Sequence, residues 1–194
     1  PELLKIINGA DLVTPDGIGI VWAGRHLGYP FEERVSGIDL LYLICEQAPR
    51  ENWKIYLLGA APGIADEASR QLAQDYPGIN ICGTHNGYFS EEQQQVMMEE
   101  IKQLQPDILF VALGAPGQEY WINQFKFALA VPVAIGVGGS FDVVAGVKSR
   151  APQWVIKANL EWLYRLLKEP NRFKRQLALP KFVLLVLRHK KIKK

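Results

Sequence analysis

Short apolar runs, each ended by or followed within a few residues by glycine, recur along the middle of the chain. They are rich in Val, Ile, Leu and aromatic residues and carry few charges, as is typical of strands that are buried on both faces of a parallel sheet. Four such runs predict strands: WKIYLLG at 53–59, INICG at 79–83, DILFVALG at 107–114 and VPVAIGVGG at 131–139.

Helical patterns separate these runs. The segments 62–76 and 117–129 follow or contain Pro-Gly, and the segment 90–104 opens with Ser90 followed by two acids, which predicts an N-cap. An alternation of strands and helices predicts an α/β fold: a Rossmann-like, open, mostly parallel sheet with helices on both faces. In such sheets ligands bind beyond the carboxyl ends of the strands, so the strand exits are the places to examine.

Charge divides the chain into two parts. Residues 1–147 carry 8 Lys or Arg against 18 Asp or Glu, whereas residues 148–194 carry 14 against 2. We therefore predict a Rossmann-like body over residues 1–150 and a basic, mainly helical appendage over residues 151–194. A basic appendage indicates an anionic partner, such as phosphate groups, nucleic acid or a membrane surface; a solvated basic tail is the plain alternative.

The composition narrows the class of protein. The 194 residues are 48% hydrophobic, enough for one sizeable core. Cys45 and Cys82 are too few for a disulfide framework and favour a reducing, cytoplasmic setting. There is no signal peptide and no run of 18 apolar residues, so we expect no membrane span. The chain begins with Pro rather than Met, so we also expect a further N-terminal segment.

Two strand exits have ambiguous chemistry. The exit LLGAAPG at 57–63 could offer backbone N–H groups to a phosphate, but it matches neither GxGxxG nor a Walker A loop, and a tight turn explains it equally well. The exit GTHNGYF at 83–89 carries His85; a lone histidine there is more often a hydrogen-bonding group of the loop than a catalyst, and it is kept among the candidate substrate-binding residues with its role open.

The other two exits are better candidates for a ligand pocket. In LGAPGQEYW at 113–121, the amide of Gln118 is suited to hold a sugar hydroxyl, whereas Glu119 is explained by the helix dipole alone. The loop GVGGSFDVVAG at 136–146 is unusually permissive for a simple connection. Its candidate binding residues are Gly136, Gly138, Gly139 and Asp142.

Five stretches, taken together, resemble a known family. They are ADLVTPDGIGIVWAGR at 10–25, ERVSGIDL at 33–40, HNGYF at 85–89 and the two stretches at 113–121 and 136–146. In this order and spacing they are similar to the WecG/TagA/CpsF glycosyltransferases, also called glycosyltransferase family 26, and especially to their wall teichoic acid branch. The resemblance covers almost the whole chain.

The resemblance implies an activity. It implies transfer of N-acetylmannosamine from UDP-N-acetylmannosamine to the 4-hydroxyl of the N-acetylglucosamine on undecaprenyl diphosphate, with inversion. It also implies a cytoplasmic enzyme on the inner face of the membrane and no nucleic-acid partner.

An inverting transfer needs a base that takes the proton of the attacking hydroxyl. Thr14-Pro15 and Gly17 predict a turn at a strand end that exposes Asp16 beside buried neighbours. Asp11 is the alternative candidate for the base. A purely structural role for Asp16, in an Asx turn, is the alternative to catalysis. The position of Asp16 in the family motif favours it as the base, with Thr14 among the substrate-binding residues.

The leaving diphosphate needs neutralising charge. The chain has no Asp-x-Asp pair to hold a metal, so we expect no metal and no cofactor. Guanidinium groups match phosphate oxygens in pairs of hydrogen bonds. Arg165, Arg172 and Arg175 are therefore the candidates, although a solvated basic helix would look the same.

The end of the chain, KFVLLVLRHKKIKK at 181–194, combines six apolar residues with a basic cluster. This pattern is typical of a segment that lies on an anionic leaflet. Packing on a partner subunit in a homo-oligomer is the alternative. Two other function classes stay open on the residues alone: an NAD-type oxidoreductase on the same fold, and a non-catalytic membrane adaptor.

Overall fold

The computed structural model describes residues 1–168 and 177–189, apart from the side chain of Arg165. Its sheet has four strands, β1 (Lys54–Gly59), β2 (Asn80–His85), β3 (Ile108–Ala112) and β4 (Val133–Gly136). They lie in the order β2-β1-β3-β4, and each neighbouring pair is parallel. Each strand overlaps one of the four apolar runs, so the predicted parallel sheet is confirmed.

Ten helices occur in the part of the chain that the structure describes. They are α1 (Glu2–Asn8), α2 (Ile18–Leu27), α3 (Gly37–Glu51), α4 (Ile64–Asp75), α5 (Glu91–Leu104), α6 (Gly117–Leu129), α7 (Ser140–Val144), α8 (Gln153–Lys157), α9 (Glu161–Lys168) and α10 (Ala178–Arg188). Helices α4, α5 and α6 are the three that the sequence predicts between the strands.

The start of α5 follows from its sequence. The Ser90 side chain accepts a hydrogen bond from the Gln93 backbone N–H, and the Gln93 side chain accepts one from the Ser90 backbone N–H. This reciprocal capping box satisfies two N–H groups that the first turn of a helix leaves without partners. The predicted N-cap at Ser90 is confirmed.

The core lies on both faces of the sheet, because alternate residues of a strand point to opposite faces. Ile55 and Leu57 of β1 belong to one buried cluster, to which α3, α4 and α7 contribute. Tyr56 and Leu58 belong to a second cluster, to which α5 and α6 contribute. Full burial of each Leu or Ile stabilises the fold by about 1.5–3 kcal/mol. Both faces are covered, as predicted.

The two cysteines are free thiols. Cys45 is buried in the core, and burial raises its pKa to about 12. Burial also raises the pKa of Cys82, whose Sγ lies 3.4 Å from the carbonyl oxygen of Ile55. Because only the thiolate is a strong nucleophile, neither residue is suited to nucleophilic catalysis at neutral pH.

The chain divides into two compact units. The first contains residues 1–13 and 37–149, and the second contains residues 14–36 and 150–194. The division after residue 149 lies at the predicted end of the body. The segment 14–36, which the sequence analysis assigned to the body, groups with the C-terminal part instead.

Within the second unit, α2 carries much of the packing. The Phe31 ring lies so close to Gly24 that a Cβ on Gly24 would be 2.2 Å from it. Helix α10 also packs on α2: Phe182 lies 3.8 Å from the place of a Cβ on Gly19, and Val186 is buried. In the described ranges, no helix is both long and apolar enough to cross a membrane.

Candidate functional site

The carboxyl edge of the sheet contains a topological switch point, because the chain passes from β1 to β2 on one side and then to β3 on the other. At this point both backbone polar groups of Ala60 make hydrogen bonds within the protein. Its N–H donates to the Ala112 carbonyl, and its carbonyl accepts from the Gly87 N–H. A Cβ on Gly59 would be 2.5 Å from the Ala112 carbonyl carbon, so only glycine fits there. The exit at 57–63 is a tight βα turn.

The exit of β2 orders its own loop. His85 Nδ1 lies 2.8 Å from the Asn86 carbonyl oxygen, and the His85 ring meets the edge of Phe89 at 5.7 Å between centroids. The Asn86 side chain accepts a hydrogen bond from the Tyr88 N–H. These local contacts account for the position of His85, and its role stays open.

Gln118 links the exits of β3 and β4. Its side chain is 6% exposed, its Oε1 accepts a hydrogen bond from the Gly138 N–H at 2.9 Å, and its Nε2 donates to Glu119 Oε1 at 2.9 Å. It also lies against Gly136, where a Cβ would be 2.5 Å from Nε2. The structure thus brings together three residues that the sequence analysis selected: Gln118, Gly136 and Gly138.

Glu119 occupies the first turn of α6, as its interpretation through the helix dipole requires. Only one of its carboxylate oxygens is used within the described residues. Oε2 is buried and has no hydrogen-bond partner there.

Asp142 lies in α7, just after the glycine loop. Its Oδ2 is 3.3 Å from Lys148 Nζ and 3.5 Å from the place of a Cβ on Gly139. The backbone N–H of Lys148 also donates to the Asp142 carbonyl at 2.9 Å. The Lys148 side chain is 47% exposed and that of Asp142 22%, and an ion pair near the surface of this kind contributes only about 0–1 kcal/mol.

The second unit contains the predicted base. The Asp16 N–H donates to the Thr14 carbonyl at 3.1 Å, and the Val35 N–H donates to the Pro15 carbonyl at 3.2 Å. Asp16 is exposed and precedes α2 rather than ending a strand, and Leu12 and Val13 are exposed. The predicted turn at a strand end with buried neighbours is therefore wrong, because the apolar residues from Ile18 onward form an amphipathic helix.

Arg34 is a residue that the sequence analysis did not select. Its Nη1 lies 2.8 Å from Oε2 of Glu161, a carboxylate that is almost completely buried. Glu161 begins α9, the helix that contains Arg165. The two partners are 127 residues apart in the chain, so no local pattern would have found the pair.

The remaining predicted arginines cannot be placed. Arg172 and Arg175 lie outside the described residues, and the side chain of Arg165 is not described. Their assignment stays a prediction.

Two surface depressions lie elsewhere. One, of about 490 Å³, follows α5 from Gln95 to Gln103, and the other, of about 420 Å³, lies near Pro106 and Pro132, which precede β3 and β4. Neither is lined by a candidate residue. Ligands of parallel α/β sheets bind at the carboxyl ends of the strands, where neither depression lies.

Comparison with known proteins gives the family. The glycosyl transferase WecG/TagA/CpsF family matches residues 1–194. The chain is 37% identical over 191 residues to a protein of Bacillus spizizenii, 36% over 193 residues to one of Bacillus subtilis and 38% over 192 residues to one of Staphylococcus aureus. These alignments cover 98–100% of this chain and 74–75% of the relatives.

All three relatives bear one name, N-acetylglucosaminyldiphosphoundecaprenol N-acetyl-beta-D-mannosaminyltransferase. None of these names describes an oxidoreductase or an adaptor, the two alternatives that the residues alone left open. The match over the whole chain and the identities above 30% confirm the resemblance: the chain belongs to the WecG/TagA/CpsF family of glycosyl transferases.

Proposed function

We propose that this protein transfers N-acetylmannosamine from UDP-N-acetylmannosamine to the 4-hydroxyl of the N-acetylglucosamine on undecaprenyl diphosphate, in synthesis of the wall teichoic acid linkage unit. The observation that carries the proposal is the shared name of relatives that are 36–38% identical over almost the whole chain. The parallel sheet with polar groups at its carboxyl edge supports it, because such edges bind nucleotides.

In the proposed reaction, the acceptor oxygen attacks the anomeric carbon while the bond to UDP breaks on the opposite face. Asp16 takes the proton of the attacking hydroxyl. The support from the structure is the exposure of Asp16 and its place in a hydrogen-bonded turn before α2, which holds the carboxylate on an ordered segment. A positioned base of this kind typically accelerates a reaction by about 10²–10⁴-fold.

The negative charge that develops on the leaving UDP is neutralised by Arg165, Arg172 and Arg175. The excess of 14 basic over 2 acidic residues in 148–194 supports this role. Preorganised cationic donors of this kind lower the barrier because the charge they stabilise is larger in the transition state than in the bound substrate.

The donor is bound by Gln118, the glycine loop and Asp142, and the substrate-binding role of Thr14 stays a prediction. The buried amide of Gln118 and its bond to the Gly138 N–H support this assignment, since they fix the loop that follows β4. His85, at the end of β2, stays a further candidate without an assigned role.

The product assay tests the function directly. Purified protein is offered UDP-N-acetylmannosamine, UDP-N-acetylglucosamine or UDP-N-acetylgalactosamine together with a short-chain lipid diphosphate bearing N-acetylglucosamine. We expect a disaccharide product by mass spectrometry with the first donor alone. Turnover with another donor, or binding of NAD in place of UDP, would contradict the proposal.

Metal independence is a separate prediction. Because the chain has no Asp-x-Asp pair and arginines neutralise the leaving group in this mechanism, EDTA should change the initial rate by less than about twofold. The rate is measured in EDTA and again after addition of Mg²⁺ or Mn²⁺. A strict requirement for either ion would exclude the arginine account.

We also propose that the protein binds the inner face of the cell membrane peripherally. Helix α10 packs Phe182 and Val186 inside the second unit but leaves Leu184 and Leu187 about half exposed. The basic residues that follow, at 190–194, lie outside the described residues. An apolar face next to a basic cluster is the pattern of an interfacial helix.

Truncation after His189 tests this location, because it removes four lysines and leaves all of α10 in place. Each basic residue contributes about 1 kcal/mol near an anionic surface, so loss of the four should weaken binding to phosphatidylglycerol vesicles by up to about 10³-fold. Co-sedimentation measures it, with Lys157→Gln as a control. Unchanged vesicle binding with a lower mass in light scattering would instead assign the tail to a homo-oligomer.

A further inference from the structure

A chain of hydrogen bonds in the first unit ends on an unused carboxylate oxygen. The Gly138 N–H donates to Gln118 Oε1, and Gln118 Nε2 donates to Glu119 Oε1, each at 2.9 Å. The donor and acceptor of each of these two hydrogen bonds are fixed, since an N–H cannot accept and a carboxylate cannot donate. Glu119 thereby holds the Gln118 amide in one orientation.

The side chains of Gln118 and Glu119, which make these hydrogen bonds, have little conformational freedom. Gln118 is 6% exposed, and its Nε2 is only 2.5 Å from the place that a Cβ on Gly136 would take. Rotation of the amide would break its bonds to Gly138 and to Glu119. The hydrogen bond to Gln118 therefore also fixes the direction of the Glu119 carboxylate.

The other oxygen of that carboxylate, Oε2, is buried, and it has no hydrogen-bond donor among the described groups, which exclude the side chain of Arg165. Buried polar atoms in folded proteins almost always have a partner, and a carboxylate is the group that loses most when it lacks one. An orphan acceptor at the exit of a parallel strand, beside a buried amide, therefore indicates a ligand that donates to it.

The chemistry of Oε2 defines that ligand. A carboxylate oxygen accepts a hydrogen bond and repels an anion, so the diphosphate of a sugar nucleotide is excluded as its partner. A neutral O–H or N–H donor is suitable. The sugar of the proposed donor carries both kinds, as hydroxyls and as the acetamido N–H.

We infer that Glu119 is a substrate-binding residue that selects the sugar: Oε1 orients Gln118, and Oε2 accepts a hydrogen bond from a hydroxyl or amide N–H of the transferred N-acetylhexosamine. This inference rests on the proposed function for the identity of the ligand. A site built to accept such a bond discriminates strongly against a ligand that lacks the donor, because the buried group is then left without a partner.

Glu119→Gln tests the inference by calorimetry with UDP and UDP-N-acetylmannosamine as separate ligands. The variant keeps the size of the side chain but replaces one of its two acceptor oxygens by an NH₂ group. We expect affinity for UDP-N-acetylmannosamine to fall by about ten- to a hundredfold, as for loss of a charged hydrogen bond, while affinity for UDP changes by less than about twofold.

Two further variants complete the test. Glu91→Gln removes an exposed acid from the first turn of α5 and should leave both affinities unchanged, which controls for loss of charge at a helix start. Glu119→Asp keeps the charge but shortens the side chain. It should lower the affinity for UDP-N-acetylmannosamine and not that for UDP, and it provides the test even if Glu119→Gln does not fold.

Equal loss of affinity for UDP and for the sugar nucleotide, or no loss for either, would overturn the inference. Binding needs no acceptor and no turnover, so its outcome is independent of the product assay. A wild-type protein that makes the disaccharide while Glu119→Gln and Glu119→Asp bind both ligands normally would refute the role of Glu119 and leave the proposed function intact.

Discussion

Asp16→Asn is expected to lower the turnover of the transferase by about 100-fold or more, which corresponds to about 2.7 kcal/mol in the activation free energy. Asn has the size of Asp but cannot take the proton of the attacking hydroxyl. UDP binding should stay nearly unchanged, because the base acts on the acceptor rather than on the nucleotide. Initial rates with a soluble short-chain acceptor and calorimetry with UDP measure the two quantities.

Asp16 is exposed. The hydrogen bonds that join Asp16 to Thr14 and Val35 to Pro15 are made by backbone atoms, so the substitution leaves these two bonds in place. Asp11→Asn is the matched variant, since Asp11 is also exposed and lies five residues earlier. Turnover near that of the wild type in Asp16→Asn, with loss in Asp11→Asn or in a His85 variant, would transfer the role of base to that residue.

The fold of the first unit was predictable because its local patterns agree with its tertiary structure. A fully buried strand such as β1 needs apolar residues on both faces, and KIYLLG provides them. Helix α5 needs a cap, and Ser90 and Gln93 supply it. Where such local signals coincide with burial, the sequence alone identifies the element.

The segment around Asp16 was harder to predict. IGIVWAG contains glycines and branched residues that are common in strands, and burial alternates from Ile20 to Ala23 as in a strand. The segment is nevertheless helix α2, in which Val21 and Gly24, three residues apart, are both buried. The conformation of this segment depends on packing partners that are distant in sequence, such as Phe182, which lies against Gly19. A single sequence does not reveal those contacts.

The same limit applies to the candidate site. Gln118 and the glycine loop were selected from the sequence, but the bond between Gln118 and Gly138 spans 20 residues and the ion pair of Arg34 with Glu161 spans 127. From the sequence, the favourable interaction of an acid with the N-terminus of a helix was a sufficient explanation of Glu119. Only the structure shows that one of its oxygens is buried and has no partner among the described residues.

The double substitution Arg172→Gln and Arg175→Gln should reduce turnover by about 10²–10⁴-fold with a soluble short-chain acceptor, since each charged donor contributes about 1.5–3 kcal/mol. The soluble acceptor matters because it removes any contribution of membrane binding. Most of the loss should be in kcat, because charge on the leaving diphosphate is greatest in the transition state.

Lys157→Gln is the matched control, since it removes an exposed positive charge from α8 of the same unit and lies outside the proposed machinery. A similar loss in this control would mean that the arginines act only through the net positive charge of the unit. If the double variant keeps full turnover on the soluble acceptor, the leaving group is neutralised without these two residues. Arg165 alone, or Arg34 beside the buried Glu161, would then have to supply the donors.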